Sequence, residues 1–304
     1  EADSLFTVAD SLLKIRQLDK AMELYQDAYQ KISDRENKAK LLKGMGMVYG
    51  YQGNFKEALA NFEKELLVHK ELGTRSGEGN AMNNMGYMYR HLSDYPKALE
   101  YCLGSLDIYR EIGDRLGEMK ALVNIGIAYG GFPDYLKMLE YNKKSLEIAR
   151  EIGERSMEGT MLNNIGTVYS YLSEYAKALE YYEKSLEIKR EFGNRQGESK
   201  TLGNIGGIYQ SLSDYPKALE YYEKGLTISR LIGDRFTEIG FTENIGLIYD
   251  RYSNYPKALE YYDKSLEIAR EIGNRAGEGS ALFQLGGIYA KLGTSLDYAG
   301  ALKG

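Results

Sequence analysis

Three sets of side chains in this chain have types and spacings that could do chemistry. The first is a carboxamide series, Asn84, Asn124, Asn164, Asn204 and Asn244, continued as Gln284, with one member every 40 residues. A carboxamide carries both a donor and an acceptor, so it can pair with the amide of an extended peptide whatever that peptide's side chains are. The second is the glutamates of the Ala-Leu-Glu-Tyr-Tyr-Glu-Lys runs, such as Glu180, Glu183 and Glu187. With Lys184 and Arg190 they have the spacing of solvated pairs along a helix, whereas paired-carboxylate catalysis needs a defined cleft. The third is the single cysteine, Cys102, with two histidines, His69 and His91. His91 has no Cys or Ser partner in fixed register. Cys102 stands where Phe62, Tyr182, Tyr222 and Tyr262 recur, the place of a core filler. No catalytic residue, metal ligand or cofactor site is expected.

Composition narrows the classes further. One cysteine excludes an intramolecular disulfide and a multi-cysteine metal site, and the two histidines are far outside zinc-ligand spacing. A net charge of −5 gives no general reason to bind nucleic acid. No apolar run approaches the roughly 18 residues of a membrane span, so no direct membrane insertion is expected. With 43% hydrophobic and 27% charged residues, the chain is not of the disordered class.

The elements that must position these side chains are set by an internal repeat. Gly46, Gly86, Gly126, Gly166, Gly206, Gly246 and Gly286 are each followed three residues later by a tyrosine, from Tyr49 to Tyr289. Ala58, Ala98, Ala178, Ala218 and Ala258 follow twelve residues after the Gly, with Met138 in that place in repeat four. Each unit reads as two helices. Helix A, for example Leu116 to Gly130, has Leu122, Ile125 and Tyr129 on one face. Helix B, clearest at Tyr175 to Phe192, sets Ala178, Leu179, Tyr182, Leu186 and Ile188 among Lys and Glu. Ser93-Asp94-Tyr95-Pro96 supplies a cap and a first-turn proline for helix B. Gly113, Gly153, Gly193, Gly233 and Gly273 close it, and Asp114, Asn194, Asp234 and Asn274 can cap the next helix A. The mid-helix Gly and the Ala are expected where A and B cross closely. Gly203-Asn204-Ile205-Gly206-Gly207 lies mid-helix with no preceding strand, so it is not read as a phosphate loop.

The pattern Leu162, Ile165, Gly166, Tyr169, Ala178, Tyr182, Ser185 resembles the tetratricopeptide repeat, whose unit is usually about 34 residues. The longer period, the long helix B and the Gly113-Asp114-Arg115 junction are more similar to a longer subclass. That subclass occurs in spindle-orientation scaffolds that modulate G proteins, in a related form in kinesin light chains, and in bacterial sensor kinases, cyclases and regulators. The resemblance implies an all-α, right-handed superhelix of seven helix pairs and a partial eighth. It would form one domain over residues 1–304, in units of about 1–34, 35–74, 75–114, 115–154, 155–194, 195–234, 235–274 and 275–304. It also implies that the carboxamide series lines a concave groove holding a peptide or protein ligand. The other reading of the same series is that these residues only bond neighbouring helices A. Further groove positions carried over by register include Lys40, Lys43, Arg90, Lys120, Lys200, Arg251 and Lys291, with Glu243 and Asp250 the acidic members. A locally basic inner surface favours an acidic ligand, and Tyr51, Tyr87, His91 and Tyr171 add aromatic surface. The Arg35 to Arg275 series is expected to be structural, pairing with the glutamate three residues on, as at Glu78, Glu118, Glu158, Glu198 and Glu278.

The ends depart from the pattern. Ala21, Leu24 and Ala28 mark helix B of a first unit whose helix A spans about Ser4 to Ile15. An eighth helix A, Ala281 to Leu292, is followed by a stub, Leu296 to Gly304, the aspect of a fragment cut from a longer protein. Repeat four, Gly130-Gly131-Phe132-Pro133-Asp134, with Met138 and Asn142, breaks the A–B contact in four places and is expected to be the least rigid. Two functions follow. The chain is a non-enzymatic scaffold for an extended acidic peptide, or it is the sensory segment of a larger bacterial signalling protein. A cytoplasmic location is expected, or a periplasmic one if a leader has been removed. The sequence sets neither the ligand nor the oligomeric state.

Overall fold

The computed structural model describes residues 2–14 and 16–301, which form fifteen α-helices and no strand among the described residues. They fall into two compact units, Glu1–Met157 and Glu158–Gly304. The first holds α1 (Ala2–Lys14), α2 (Leu18–Lys31), α3 (Arg35–Tyr51), α4 (Phe55–Leu72), α5 (Arg75–His91), α6 (Tyr95–Ile112), α7 (Arg115–Gly130) and α8 (Tyr135–Glu151). The second is built on α9 (Arg155–Tyr171), α10 (Tyr175–Glu191), α11 (Arg195–Ser211), α12 (Tyr215–Leu231), α13 (Arg235–Arg251), α14 (Tyr255–Glu271) and α15 (Arg275–Ala301). Odd-numbered helices are the A helices and even-numbered ones the B helices. Within each unit every A packs on its own B, and the B on the next A.

Local chemistry explains where each helix starts and stops. Gly113 takes φ 71° after α6, a left-handed conformation that costs a glycine nothing. Asp114 then accepts from the Gly117 amide at 2.8 Å and starts α7. The opposite turn, from A to B, uses a device the sequence does not announce. Ser93, Ser173, Ser213 and Ser253 sit at φ 55–60°, where Gly53 serves in the second repeat. In that turn the Asp94 amide donates to the Tyr89 carbonyl at 2.9 Å, and the Asp94 carboxylate caps Lys97 at 3.2 Å.

The core lies between paired helices. Gly166 of α9 lies beneath the ring of Tyr182 in α10, so that an added Cβ would come within 2.7 Å of the ring. The glycine therefore makes room for the aromatic of helix B rather than for the small residue Ala178 alone. In α5 and α6 the same place is filled by Cys102, fully buried against Gly86, as expected of a core filler. Burial pushes its thiol up to about 12, so it is held as the unreactive form. Ser185 donates to the Gly159 carbonyl at 2.6 Å and Ser105 to Gly79 at 2.8 Å, tying B to A.

Successive repeats are clasped by a buried glutamate. Glu198 of α11, 4% exposed, takes Arg195 of its own helix at 2.8 Å and Arg190 of the preceding helix B at 2.8 Å. Glu118 and Glu238 repeat the arrangement with Arg110 and Arg115, and with Arg230 and Arg235. The expected pairing three residues on is therefore present, and a second arginine joins it. Burial alone would raise the Glu198 carboxyl, but the bonds from Arg190 and Arg195 outweigh it and hold it below the usual range.

Repeat four departs as its residues imply. α7 stops at Gly130, and Pro133 is placed at φ 30°, the position serine or glycine takes elsewhere. Proline favours φ near −65° and has no amide to close the turn. Asn142 is fully buried. Its amide donates to the Met138 carbonyl at 2.8 Å, and its Oδ1 has no partner. The last helix differs from expectation in length. α15 runs 27 residues, through Gly293 to Ala301, instead of stopping near Leu292 before a stub. Lys291-Leu292-Gly293-Thr294-Ser295 lacks the Asp-Tyr-Pro start signal that turns the other repeats. Ile15 and residues 302–304 lie outside the described residues.

Three outcomes are expected. Gly166→Leu forces an overpacked crossing and lowers unfolding free energy by about 1–3 kcal/mol in denaturant titration; a loss under about 0.5 kcal/mol would show a slack crossing. Hydrogen exchange in α7 and α8 should be faster than in α9 and α10, and equal protection would mean that Met138 and Asn142 compensate one another. The Glu198 clasp contributes stability above the usual carboxylate range and loses it as pH falls through its depressed value. The stability gap between the native chain and Glu198→Gln, measured by denaturant titration, should therefore narrow as pH falls below about 4.

Candidate functional site

In the first unit, α3, α5 and α7 present helix A faces that enclose a pocket of about 490 Å³. Its wall is aromatic. Phe55 stacks on His91 at 4.8 Å between ring centroids, Tyr87 lies 4.6 Å from His91, and the Arg90 guanidinium covers Tyr87 at 4.6 Å. Burial and then the charge of Arg90 lower the His91 pKa, so the ring is neutral near pH 7. Asn83, Asn84, Lys120 and Asn124 supply the polar rim. The Asn124 amide donates to the Asn83 carboxamide oxygen at 2.9 Å, whereas the Asn84 amide nitrogen is buried without a partner.

In the second unit, a pocket of about 680 Å³ lies along α11 and α13. Asn204 donates to Asn163 at 3.1 Å, and the Thr201 hydroxyl donates to the same oxygen at 3.1 Å. Asn244 and Lys200 line the pocket beside Asp234 and Phe236, whose ring is 70% exposed. Burial would raise Asp234, but the bonds from Thr237 and Gln196 and the charge of Lys200 bring it below the usual range. This pocket carries one exposed ring where the first carries a cluster.

The sequence-derived set is thus distributed unevenly. Asn84, Asn124 and Lys120 share the first pocket, and Lys200, Asn204 and Asn244 the second. Asn124 and Asn204 each line a pocket and also bond the neighbouring helix A. Asn164 is half-buried and lines neither pocket, and Gln284 is half-buried near the array's end. Arg90 turns its guanidinium over Tyr87, with one terminal nitrogen 3.0 Å from His91. Lys40 is paired with Glu36 at 3.1 Å and lines a smaller pocket, Arg251 is exposed away from the pockets, and Lys291 is neutralised by Asp250 at 2.6 Å. Asn83 and Asn163 were not anticipated. Each directly precedes a series member, and that adjacency was the available signal.

No group of three His, Cys, Asp or Glu side chains that could hold a metal occurs among the described residues. No described helix is long and apolar enough to cross a membrane. The two pockets offer carboxamides, cationic side chains and aromatic surface.

No curated protein matches the chain in sequence. Many solved structures match in fold. The apo form of RapI superposes with a TM-score of 0.72 at 20% identity, covering 90% of this chain and 99% of that one. The apo quorum sensor NprR from B. thuringiensis gives 0.72 at 16% identity, covering 96% and 82%. A Rap protein complexed with competence and sporulation factor gives 0.63 at 15% identity, covering 97% and 99%. At these identities the likeness shows the fold alone. The sequence profile of the tetratricopeptide repeat matches residues 77–151, 134–191 and 157–231, together more than half of the chain. The chain belongs to the tetratricopeptide-repeat family.

Proposed function

We propose that the chain is a non-catalytic scaffold that holds an extended, acidic peptide along its helices A. The observation that carries this reading is the pairing of unused carboxamide capacity with cations in the same pockets. Asn84 has a buried amide nitrogen without an acceptor, and Asn244 makes no side-chain bond among the described residues. Burying an unpaired donor costs about 1–3 kcal/mol, which a peptide carbonyl on Asn84 would offset. Lys120 and Lys200 hold the same register position two repeats apart in sequence, neither forms an ion pair among the described residues, and each favours a carboxylate on the ligand. The aromatic cluster of Phe55, Tyr87 and His91 suits one large apolar side chain of the same peptide, which the second pocket would hold less well.

The similarity to a quorum sensor favours a second reading, in which this array is the sensory segment of a larger signalling protein. Both readings use the same surface. They part on the gene, where a kinase, cyclase or DNA-binding domain in the same frame would decide for the second.

Peptide arrays probed with the native chain should return acidic sequences carrying one aromatic or large aliphatic residue. The double variant Asn84→Ala with Asn244→Ala should weaken those hits about tenfold or more, and hits unchanged by it would remove the carboxamide role. Raising salt from about 0.05 to 0.5 M should weaken binding as well, and a flat salt response would remove the electrostatic part while leaving the carboxamides.

A further inference from the structure

A small pocket of about 270 Å³ in the first unit lies between α3, α4 and α5, apart from the aromatic pocket. Its floor is Glu65 of α4, which is 1% exposed. The repeat register places serine at this position in Ser105, Ser145, Ser185 and Ser265, and the first three donate to a carbonyl of helix A. A carboxyl has replaced a small internal hydroxyl. One of its oxygens, Oε2, has no partner, and the other lies 3.9 Å from His69 Nε2, too far for a hydrogen bond. Such a group is costly to bury unless something completes it.

The rest of the pocket indicates what that something is. Lys43 of α3 opens onto the same space and forms no hydrogen bond or ion pair among the described residues, while Lys40 beside it is occupied by Glu36 at 3.1 Å. His69 is oriented by Thr74. The Thr74 hydroxyl donates to the His69 carbonyl at 3.3 Å, which leaves the His69 Nδ1–H to donate to Thr74 Oγ1 at 2.6 Å. With its pKa lowered the imidazole is neutral near pH 7, and the proton on Nδ1 leaves the Nε2 lone pair toward Glu65. Burial and Lys43 lower its pKa against the opposing charges of Glu78 and Glu36. Tyr109 of α6 also interacts electrostatically with Glu65. With Glu65 protonated, the pocket holds one uncompensated cation and one acid O–H donor.

We propose that this pocket binds a carboxylate group, which accepts from the Lys43 ammonium and from the protonated Glu65 carboxyl. The inference deepens the peptide reading and rests on it only for the source of the carboxylate, an acidic side chain or a chain terminus. Burial pushes Glu65 up to about 8 against the opposing effect of Lys43, so the donor is present at neutral pH. Binding is then proton-linked. Above that value Glu65 ionises and repels the ligand, so affinity falls as pH rises.

The test uses the whole chain and three small probes followed by NMR of the His69 ring. They are N-acetylglycine, with a terminal carboxylate; N-acetylglutamic acid α-amide, with a side-chain carboxylate; and N-acetylglutamine α-amide, which is uncharged. Saturable shifts are expected from one or both carboxylates and none from the uncharged probe, and the carboxylate that binds identifies the source. Affinity should fall about tenfold per pH unit above about 8. Glu65→Gln keeps a donor and should bind with a flat profile between about pH 7 and 9.5. Lys43→Gln, at an exposed position, should weaken binding about tenfold or more. The proposal is overturned if neither carboxylate binds at tens of millimolar, if the uncharged probe binds equally, if Lys43→Gln changes nothing, or if Glu65→Gln keeps the pH slope. Probe binding lost while array hits persist refutes this pocket alone. Probe binding kept while array hits vanish refutes the scaffold reading alone.

Discussion

The close crossing of helix A over helix B is the constraint on which the rest depends. A ring as large as Tyr182 can lie flat between two helices only where the facing helix has no side chain, and Gly166 meets that condition at 2.7 Å from a notional Cβ. A glycine inside a helix costs about 1 kcal/mol relative to alanine, less than burying the aromatic returns. Repetition of this one contact keeps each pair in the same geometry. That geometry brings successive helices A within reach of one another. The carboxamides of neighbouring repeats can meet only because the crossing is held constant.

Two polar devices then link one repeat to the next. The buried glutamate accepts from an arginine of its own helix and from one of the preceding helix B, so the junctions at Glu118, Glu198 and Glu238 are held by charge-assisted bonds in a partly buried place. The Asn124–Asn83 and Asn204–Asn163 bonds do the same across the faces of helices A. Because the second device uses the side chains that also line the pockets, recognition and stability share residues. A carboxamide has two donors and an acceptor, so one bond to a neighbour leaves capacity for a ligand.

The helices are alike and the surfaces they carry are not. An aromatic cluster occupies one pocket and an exposed ring the other, and Glu65 has replaced an internal serine in a third. Repeat four weakens its own A–B contact with Pro133 and Asn142. Substitution at single register positions thus gives a uniform scaffold local chemistry and local stability. A ligand that spans several repeats would meet a different set of partners at each.

The family and helix boundaries were legible in the sequence, because Gly166, Tyr182, Gly113 and Asp114 act through steric and backbone rules that hold at short range. The burial of Cys102 and the pairing of arginine with the glutamate three residues on were legible for the same reason. The sequence did not show that Ser93 adopts a left-handed turn, since serine carries no such signal by itself. Nor did it show that Glu118, Glu198 and Glu238 each take a second arginine eight residues back, across a helix junction. The candidate site divided in the same way. The register placed Asn84, Asn124, Asn204 and Asn244 along helices A, where they line the two pockets, but the bonds of Asn124 to Asn83 and of Asn204 to Asn163 depend on how adjacent helices A lie against each other. Whether a carboxamide is bonded, buried or open is decided by side chains about forty residues away, and the surroundings of Glu65 are set by Lys43 on the facing helix. Tertiary packing alone brings those together.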